Sequence, residues 1–381
     1  MMRSSLTDLS IDLTALGHNY RELKGRVAPG VRIMGVVKAD AYGHGLIPVS
    51  RTLVAEGADC LGVASLEEGL ALREAGVQAP VAVLLGIVPE EAQETVAAGL
   101  EVVLYRHDVA EALEAAGRAL GRKARVHLKV DTGMGRLGLL PEEVPPFLER
   151  WHDSPHLEFL GLVSHLAMAE APDKTYTLRQ LREFVGVLEA ARGRGWGLPL
   201  SHLANSAGTI ELRDTHFAMV RPGISLYGSP PAPERSWEVR LRPVMSFRTR
   251  ILQVKRLPPG SCISYSCTYT TVAPCDVAVL PVGYCNGLSR QLSNRGEVLI
   301  RGRRAPIRGR VCMNLIMVEV THIPGVSPGE AATLLGEDGA ERLTADELAG
   351  WSGTISYEVY CALGNANPRR YVGGSHGAQA G

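Results

Sequence analysis

Arg32-Ile-Met-Gly-Val-Val-Lys38-Ala-Asp-Ala-Tyr42-Gly43-His44-Gly45 is the stretch that decides how this chain folds. The apolar run ending at Lys38 has the length and composition of a buried strand, and the glycines after it mark a loop. An amine at the carboxyl end of such a strand points to the place where α/β proteins build their sites. Desolvated there, it can give up its proton and condense with an aldehyde or carbonyl. A lone strand-end lysine is more often a solvated surface residue, so its weight comes from what surrounds it.

Working outward, short apolar runs recur at 32–37, 60–64, 81–85, 101–105, 125–130, 159–164, 200–204 and 217–220, with helical spacing between them. Ser65, with Glu68 three residues on, reads as an N-cap and capping box for one of the intervening helices. Eight strands, each with room for a helix, is the count of a (β/α)8 barrel, although a doubly wound sheet uses the same units. Near Pro230, Pro231 and Pro233 the texture changes. The alternating, Val- and Thr-rich runs at 244–256, 276–282, 296–300, 306–311 and 315–320 predict a mostly antiparallel region. The expected division is therefore an α/β barrel over 10–232, a β domain formed by 1–9 and 233–372, and a disordered tail over 373–381.

Composition narrows the classes. Lys+Arg and Asp+Glu both number 40, so no net charge draws the molecule to nucleic acid or to an anionic membrane. The basic run Arg301 to Arg310 is interleaved with Gly and Pro and lacks aromatics, which suits a hairpin turn better than a nucleic-acid patch. The 7 cysteines are odd in number and follow no CxxC or Cys/His spacing, which argues against a disulfide framework and a zinc site. No apolar run is long enough to span a bilayer, and the first residues lack a signal-peptide core. A reduced, cytoplasmic, soluble protein is expected.

If the barrel forms, residues at its strands' carboxyl ends share one pocket. These are Lys38 and Tyr42, Gly86, Tyr105, Lys129 and Asp131, His165, Asn205 and Ser206, and Arg221 and Gly223. The set suits a phosphorylated aromatic aldehyde better than a metal. Its phosphate would sit among the small residues of the last two strand loops, where backbone N–H groups can approach closely. Gly133-Met-Gly135-Arg136-Leu-Gly138 matches the dinucleotide fingerprint, but prolines 141, 145 and 146 crowd the stretch where its helix should open. Lys129, inside an apolar strand, needs a partner or a modification, because an unpaired buried ammonium is costly.

With these residues assembled, the chain resembles the alanine racemase family over nearly its whole length. The resemblance rests on Val36-Val-Lys38-Ala-Asp-Ala-Tyr42-Gly-His-Gly, His127-Leu-Lys129-Val-Asp-Thr-Gly-Met-Gly-Arg136, Val220-Arg221-Pro-Gly223-Ile224-Ser-Leu-Tyr227, Ser264-Tyr265, Pro281-Val-Gly-Tyr284, Gly309-Arg-Val-Cys312-Met313-Asn314 and Ser356-Tyr357-Glu358, in that order. It implies a pyridoxal 5'-phosphate enzyme that interconverts L- and D-alanine, acting as an obligate homodimer with shared sites. Lys38 would hold the cofactor covalently and serve as the base on one face of the substrate. Tyr265, from the partner subunit, would serve on the other. Tyr42, Asn205, Ser206, Gly223, Ile224 and Tyr357 would hold the phosphate, His165 would pack on the ring, and Arg221 would face the ring nitrogen. Arg136 and the backbone at Met313 would take the substrate carboxylate, Tyr284 would guard the way in, and Lys129 would be carbamylated. The sequence departs from the family pattern at Asn286 and Asn314, where aspartates are usual; this bears on substrate range. Three rivals stand beside it: a non-catalytic cofactor-binding barrel, which would share the cofactor lysine but lack the second domain; a decarboxylase of similar architecture, which needs an acid rather than Arg221 at the ring nitrogen; and a serine or broad-specificity racemase.

Overall fold

The computed structural model describes residues 6–374. Strand β1 (Thr7–Asp12) comes first, followed by β2 (Arg32–Val36), β3 (Cys60–Val63), β4 (Val81–Val83), β5 (Glu101–Leu104), β6 (Ala124–Lys129), β7 (Leu157–Val163) and β8 (Met219–Val220). Strands β2 to β8 form one sheet in the order β7-β6-β5-β4-β3-β2-β8, every pair parallel. Their near-continuous Val, Leu and Ile content follows from burial on both faces, with helices outside and side chains inside.

The run expected as a strand over 200–204 closes this sheet into a barrel through a single residue: His202 bridges Val163 on one side and Met219 on the other. Backbone bonds continue on both sides of it, Leu200 N–H to Leu160 O at 2.8 Å and Ala218 N–H to Ser201 O at 3.1 Å. Pro199 offers no N–H before it, and a helix opens at Ser206 after it, so no longer strand can form. The expected strand over 217–220 is shortened likewise, because Phe217 takes a left-handed φ of 48°.

Beyond the prolines come β9 (Met245–Arg250), β10 (Gln253–Leu257), β11 (Cys262–Ile263), β12 (Tyr269–Thr270), β13 (Cys275–Leu280), β14 (Glu297–Ile300), β15 (Arg303–Pro306), β16 (Ile316–Glu319), β17 (Ala331–Asp338), β18 (Glu341–Leu343) and β19 (Arg369–Val372). One sheet runs β15-β14-β17-β9-β1-β19, with β18 on β17; a second runs β10-β13-β16; β11 and β12 form a hairpin. All pairings here are antiparallel except β1 with β19. The strand expected at 306–311 lies earlier. Arg301 and Gly302 both take positive φ, the geometry of a two-residue hairpin turn, which sets Ile300 opposite Arg303. Of the tail expected to be disordered, 375–381 lies outside the described residues. Among the described residues no helix is long and apolar enough to cross a membrane.

Candidate active site

Lys38 leaves β2 half-buried at its carboxyl end and begins a turn the sequence did not foretell. Ala39, Asp40 and Ala41 have φ/ψ near 54°/50°, and Tyr42 has a φ of 54°, so the glycine-flanked loop is one left-handed turn built from non-glycine residues. Each such residue costs roughly 1–2 kcal/mol, and the surroundings hold the turn in place. Asp40 Oδ1 accepts from Leu46 N–H at 2.6 Å, and its Oδ2 pairs with Arg369 of β19 at 2.5 Å. Glu68, expected as a capping-box residue, instead accepts from Asp40 N–H at 3.0 Å and Ala64 N–H at 2.7 Å. Ser65 precedes its helix without a side-chain cap. Burial, then repulsion from Arg136 and Arg221, lowers the Lys38 pKa below that of an ordinary lysine, although Glu68 opposes this.

The turn throws Tyr42 against the end of the barrel. Its ring packs on Tyr227 at 4.8 Å and on Tyr357 at 5.8 Å between centroids. A Cβ at Gly223 would fall 2.5 Å from the Tyr42 hydroxyl, so only glycine lets the two meet. Gly223 N–H donates to Ser206 Oγ at 2.9 Å, and Ile224 is buried alongside. Tyr42, Ser206, Gly223, Ile224 and Tyr357 are thus gathered from two loops, a turn and a helix of the second domain. Burial raises the phenol of Tyr42 and pushes that of Tyr357 up to about 12, so both are donors at neutral pH. Asn205 spends its side-chain oxygen on Gly208 N–H at 3.0 Å, capping the helix Ser206–Glu211.

Four cations crowd one histidine. His165 is held well below the usual imidazole range by burial and then by the charges of Arg221, Lys129, Arg136 and Lys38. Arg221 is buried and tied to His202 Nδ1 at 2.5 Å, Ser164 O at 2.6 Å and Leu203 O at 3.1 Å. Burial lowers it to about 9, which leaves it charged at neutral pH. Lys129 is buried, and desolvation followed by Arg221 and Arg136 holds it well below an ordinary lysine. Among the described residues no hydrogen bond or ion pair holds its amine. The Gly133–Gly138 segment is a turn wound on Asp131, whose carboxylate accepts from the N–H groups of Gly133, Met134, Gly135 and Arg136; no helix opens there. A pocket with this excess of positive charge and donors fits an anionic occupant carrying a phosphate and an electrophilic carbon near Lys38. The reading of the sequence passed over Glu101 and His127, which stand beneath this pocket at inward positions of apolar strands. A polar residue in such a run is the one signal that marks them.

The remaining candidates lie elsewhere. Tyr265 is 70% exposed, Met313 56% and Tyr284 44%. They share a platform on the second domain. Tyr284 N–H donates to Cys312 O at 3.1 Å and Cys285 N–H to Met313 O at 3.0 Å, while Ser264 Oγ donates to Arg310 O at 2.7 Å. One expectation fails here: Cys262 and Cys267 form a disulfide. The β11–β12 hairpin brings their Cα atoms to 5.0 Å, within disulfide range, a closeness that no cysteine-spacing rule reveals. The amides that replace the expected aspartates both act as donors, Asn286 to Asn367 Oδ1 at 3.2 Å and Asn314 to Cys285 Sγ at 2.8 Å. A carboxylate could make neither bond.

Comparison with known proteins agrees with this geometry. The family described as alanine racemase, N-terminal domain, matches residues 11–231, and alanine racemase, C-terminal domain, matches 244–371. An alanine racemase of Syntrophobacter fumaroxidans is 48% identical over 93% of this chain and 95% of its own. One of Symbiobacterium thermophilum is 46% identical over 95% and 96%. Among solved structures, an alanine racemase from D-cycloserine-producing Streptomyces lavendulae superposes with a TM-score of 0.93 at 34% identity, covering 98% of this chain and 99% of that one. An alanine racemase from Bacillus anthracis with bound L-Ala-P gives 0.90 at 32% identity, covering 99% and 97%. Two domain matches in sequence, near-complete coverage and a common fold together leave one conclusion: the chain belongs to the alanine racemase family.

Proposed function

We propose that this protein interconverts L- and D-alanine with pyridoxal 5'-phosphate, in sites shared between the two subunits of an obligate homodimer. The observation that carries the reading is the place of Lys38, half-buried where β2 ends, with the charges of Arg136 and Arg221 near enough to join burial in lowering its pKa. When bound, the cofactor supplies an electron sink that acidifies the substrate's α-hydrogen. Tyr42, Ser206, Gly223, Ile224 and Tyr357 would hold its phosphate and Lys38 its aldehyde carbon, with His165 against the ring. Asn205 supports the phosphate corner through the helix that it caps.

Racemisation requires one group to remove a proton and another to deliver one from the opposite face. Lys38 Nζ, desolvated and repelled by two guanidiniums, is suited to exchange a proton on its face. The partner subunit's Tyr265 would serve the other, which accounts for a tyrosine left 70% exposed on a single chain. Arg221, offering donors only, would keep a proton off the ring nitrogen and so moderate the sink. Arg136 and the Met313 backbone would orient the substrate carboxylate, with Tyr284 beside the way in. At Lys129, the neutral amine would add carbon dioxide, forming an N–C bond and releasing a proton. The resulting carbamate anion would offset Arg136 and Arg221.

Purified protein with added cofactor should convert L-alanine to the racemate in deuterated water, with deuterium entering the α-carbon. Alanine left unchanged would overturn the reading, and serine run in parallel measures breadth. An intact mass lacking one carbon dioxide at ambient gas would remove the carbamate from the proposal.

A further inference from the structure

The hydrogen-bond chain that begins at Arg221 continues past His202. His202 Nε2 lies 3.1 Å from His127 Nδ1, and His127 Nε2 lies 3.0 Å from Glu101 Oε2. The other Glu101 oxygen pairs with Arg125 at 2.8 Å. Arg221, His202, His127 and Glu101 are all buried. A continuous polar line therefore crosses the barrel's interior, from the pocket at the strands' carboxyl ends to the first residue of β5 at the opposite end.

Donor and acceptor rules fix every proton in this line. A guanidinium only donates, so His202 Nδ1 must present its lone pair to Arg221. His202 then carries its hydrogen on Nε2 and donates to His127 Nδ1. That leaves the His127 hydrogen on Nε2, facing the carboxylate. Any other arrangement sets two hydrogens or two lone pairs against each other, or leaves His202 without a proton at all. The field agrees: burial and then Arg221 hold His202 well below the usual imidazole range. Burial raises the Glu101 carboxyl, while the hydrogen bond from His127 and the charge of Arg125 lower it, so the carboxylate is held by a donor on each oxygen.

We propose that Glu101 and His127 are positioning residues for racemisation: through His202 they lock Arg221 in a single orientation and set the strength with which it is drawn away from the pocket. The proposal rests on the reading of Arg221 as the neighbour of the cofactor's ring nitrogen. Stability alone gives no reason for the line, since buried charged groups add little over apolar residues of similar volume. An anion at the far end polarises each bond in turn, making His202 Nδ1 a better acceptor for Arg221. Glu101 would thus tune the ring's environment without touching substrate or cofactor.

The test uses histidine-labelled holoenzyme and Glu101→Gln, which keeps the shape and one acceptor oxygen but removes the charge. In the wild type, nitrogen NMR should show His127 and His202 both neutral, with hydrogen on Nε2. In E101Q the His202 ring shifts should move, the cofactor's visible absorption should shift, and kcat should fall about tenfold, as when an outer hydrogen-bond partner is lost. KM for alanine should stay within about twofold, because ground-state binding is untouched. His127→Gln breaks the line at its middle and should give the same pattern, so the test survives if one variant fails to fold. His202 carrying hydrogen on Nδ1 in the wild type would overturn the proposal. So would variants that fold yet leave the His202 shifts and kcat unchanged. The ring shifts need no turnover, so a protein inert toward alanine would sink the racemase reading while those shifts still decided the relay.

Discussion

The barrel pocket and the platform around Tyr265 are built on opposite terms. In the pocket Arg221, Tyr42, Ser206 and Ile224 are buried and the backbone is firmly held: Arg221 has three acceptors, Asp40 fixes the left-handed turn from both its oxygens, and Gly223 is pressed against Tyr42. On the platform Tyr265, Tyr284 and Met313 are exposed, while the loops that carry them are pinned by backbone bonds and a disulfide. A side chain on a fixed backbone with nothing covering it is poised for a surface that a single chain does not supply. If the sites are shared between subunits as proposed, the difference has a simple reading: each chain would carry two halves of a site and complete neither alone.

The largest expected effect tests that division directly. Lys38→Ala and Tyr265→Phe should each lower kcat by about 10³-fold or more, since each removes a positioned proton-transfer group. Mixed and reassembled, the two inactive chains should recover about a quarter of wild-type activity, because half the dimers are hybrid and each hybrid holds one intact site. Activity that stays absent on mixing, in a sample shown to contain hybrids, would place both groups in the same chain's site.

Gly223→Ala strikes the held half. The added methyl would sit 2.5 Å from the Tyr42 hydroxyl, and overpacking of this kind costs roughly 1–3 kcal/mol. Cofactor affinity, read by absorbance titration, should fall about tenfold or more, while Tyr265 and its loop are undisturbed. The converse substitution pair, Cys262→Ser with Cys267→Ser, strikes the exposed half. Ser264, Ser266 and Cys267 all have positive φ around Tyr265, and the disulfide closes the loop that holds them there. Its loss should lower kcat roughly threefold to tenfold through misplacement of Tyr265, with cofactor affinity unchanged. Equal effects of both changes on affinity would erase the distinction between the two halves.

The same contrast explains what could be read from residues alone. Lys38 announced itself because an amine at the end of an apolar strand is a local anomaly, and Arg221, Asn205 and Ser206 because they end successive strand candidates. The left-handed turn at 39–42 was hidden, since its residues are ordinary and its conformation is imposed by Leu46, Glu68 and Arg369, which hold Asp40 from three other elements. The Cys262–Cys267 bond was hidden for the same kind of reason: the hairpin, not the spacing, brings the pair together. Strand 200–204 was seen at the right place but at the wrong length, because its ladder is cut short by Pro199 and by the helix at Ser206. Tyr265 stood out only through the family resemblance, as nothing in its own neighbourhood distinguishes a partner-facing tyrosine from a solvated one.

The smallest effect concerns a buried residue of the held half whose amine has no hydrogen bond or ion pair among the described residues. Lys129 is buried among cations and has its pKa pulled well below 10.5, its value in a free chain. Between the folded and the unfolded pKa, the unfolded chain binds the proton and the folded chain does not, so stability rises with pH across that window and levels off above about 10.5. Lys129→Met removes this linkage. In buffer freed of carbon dioxide the variant should unfold at higher temperature than the wild type, by about 2–4 °C for each kcal/mol relieved. The gain should be largest at neutral pH and should vanish as pH approaches that of the free amine. Restoring carbon dioxide should narrow it from the other side, because a carbamate would let the wild type hold an anion where it otherwise buries an unpaired amine. Parallel stability curves for the two proteins at every pH would mean that Lys129 already has a partner.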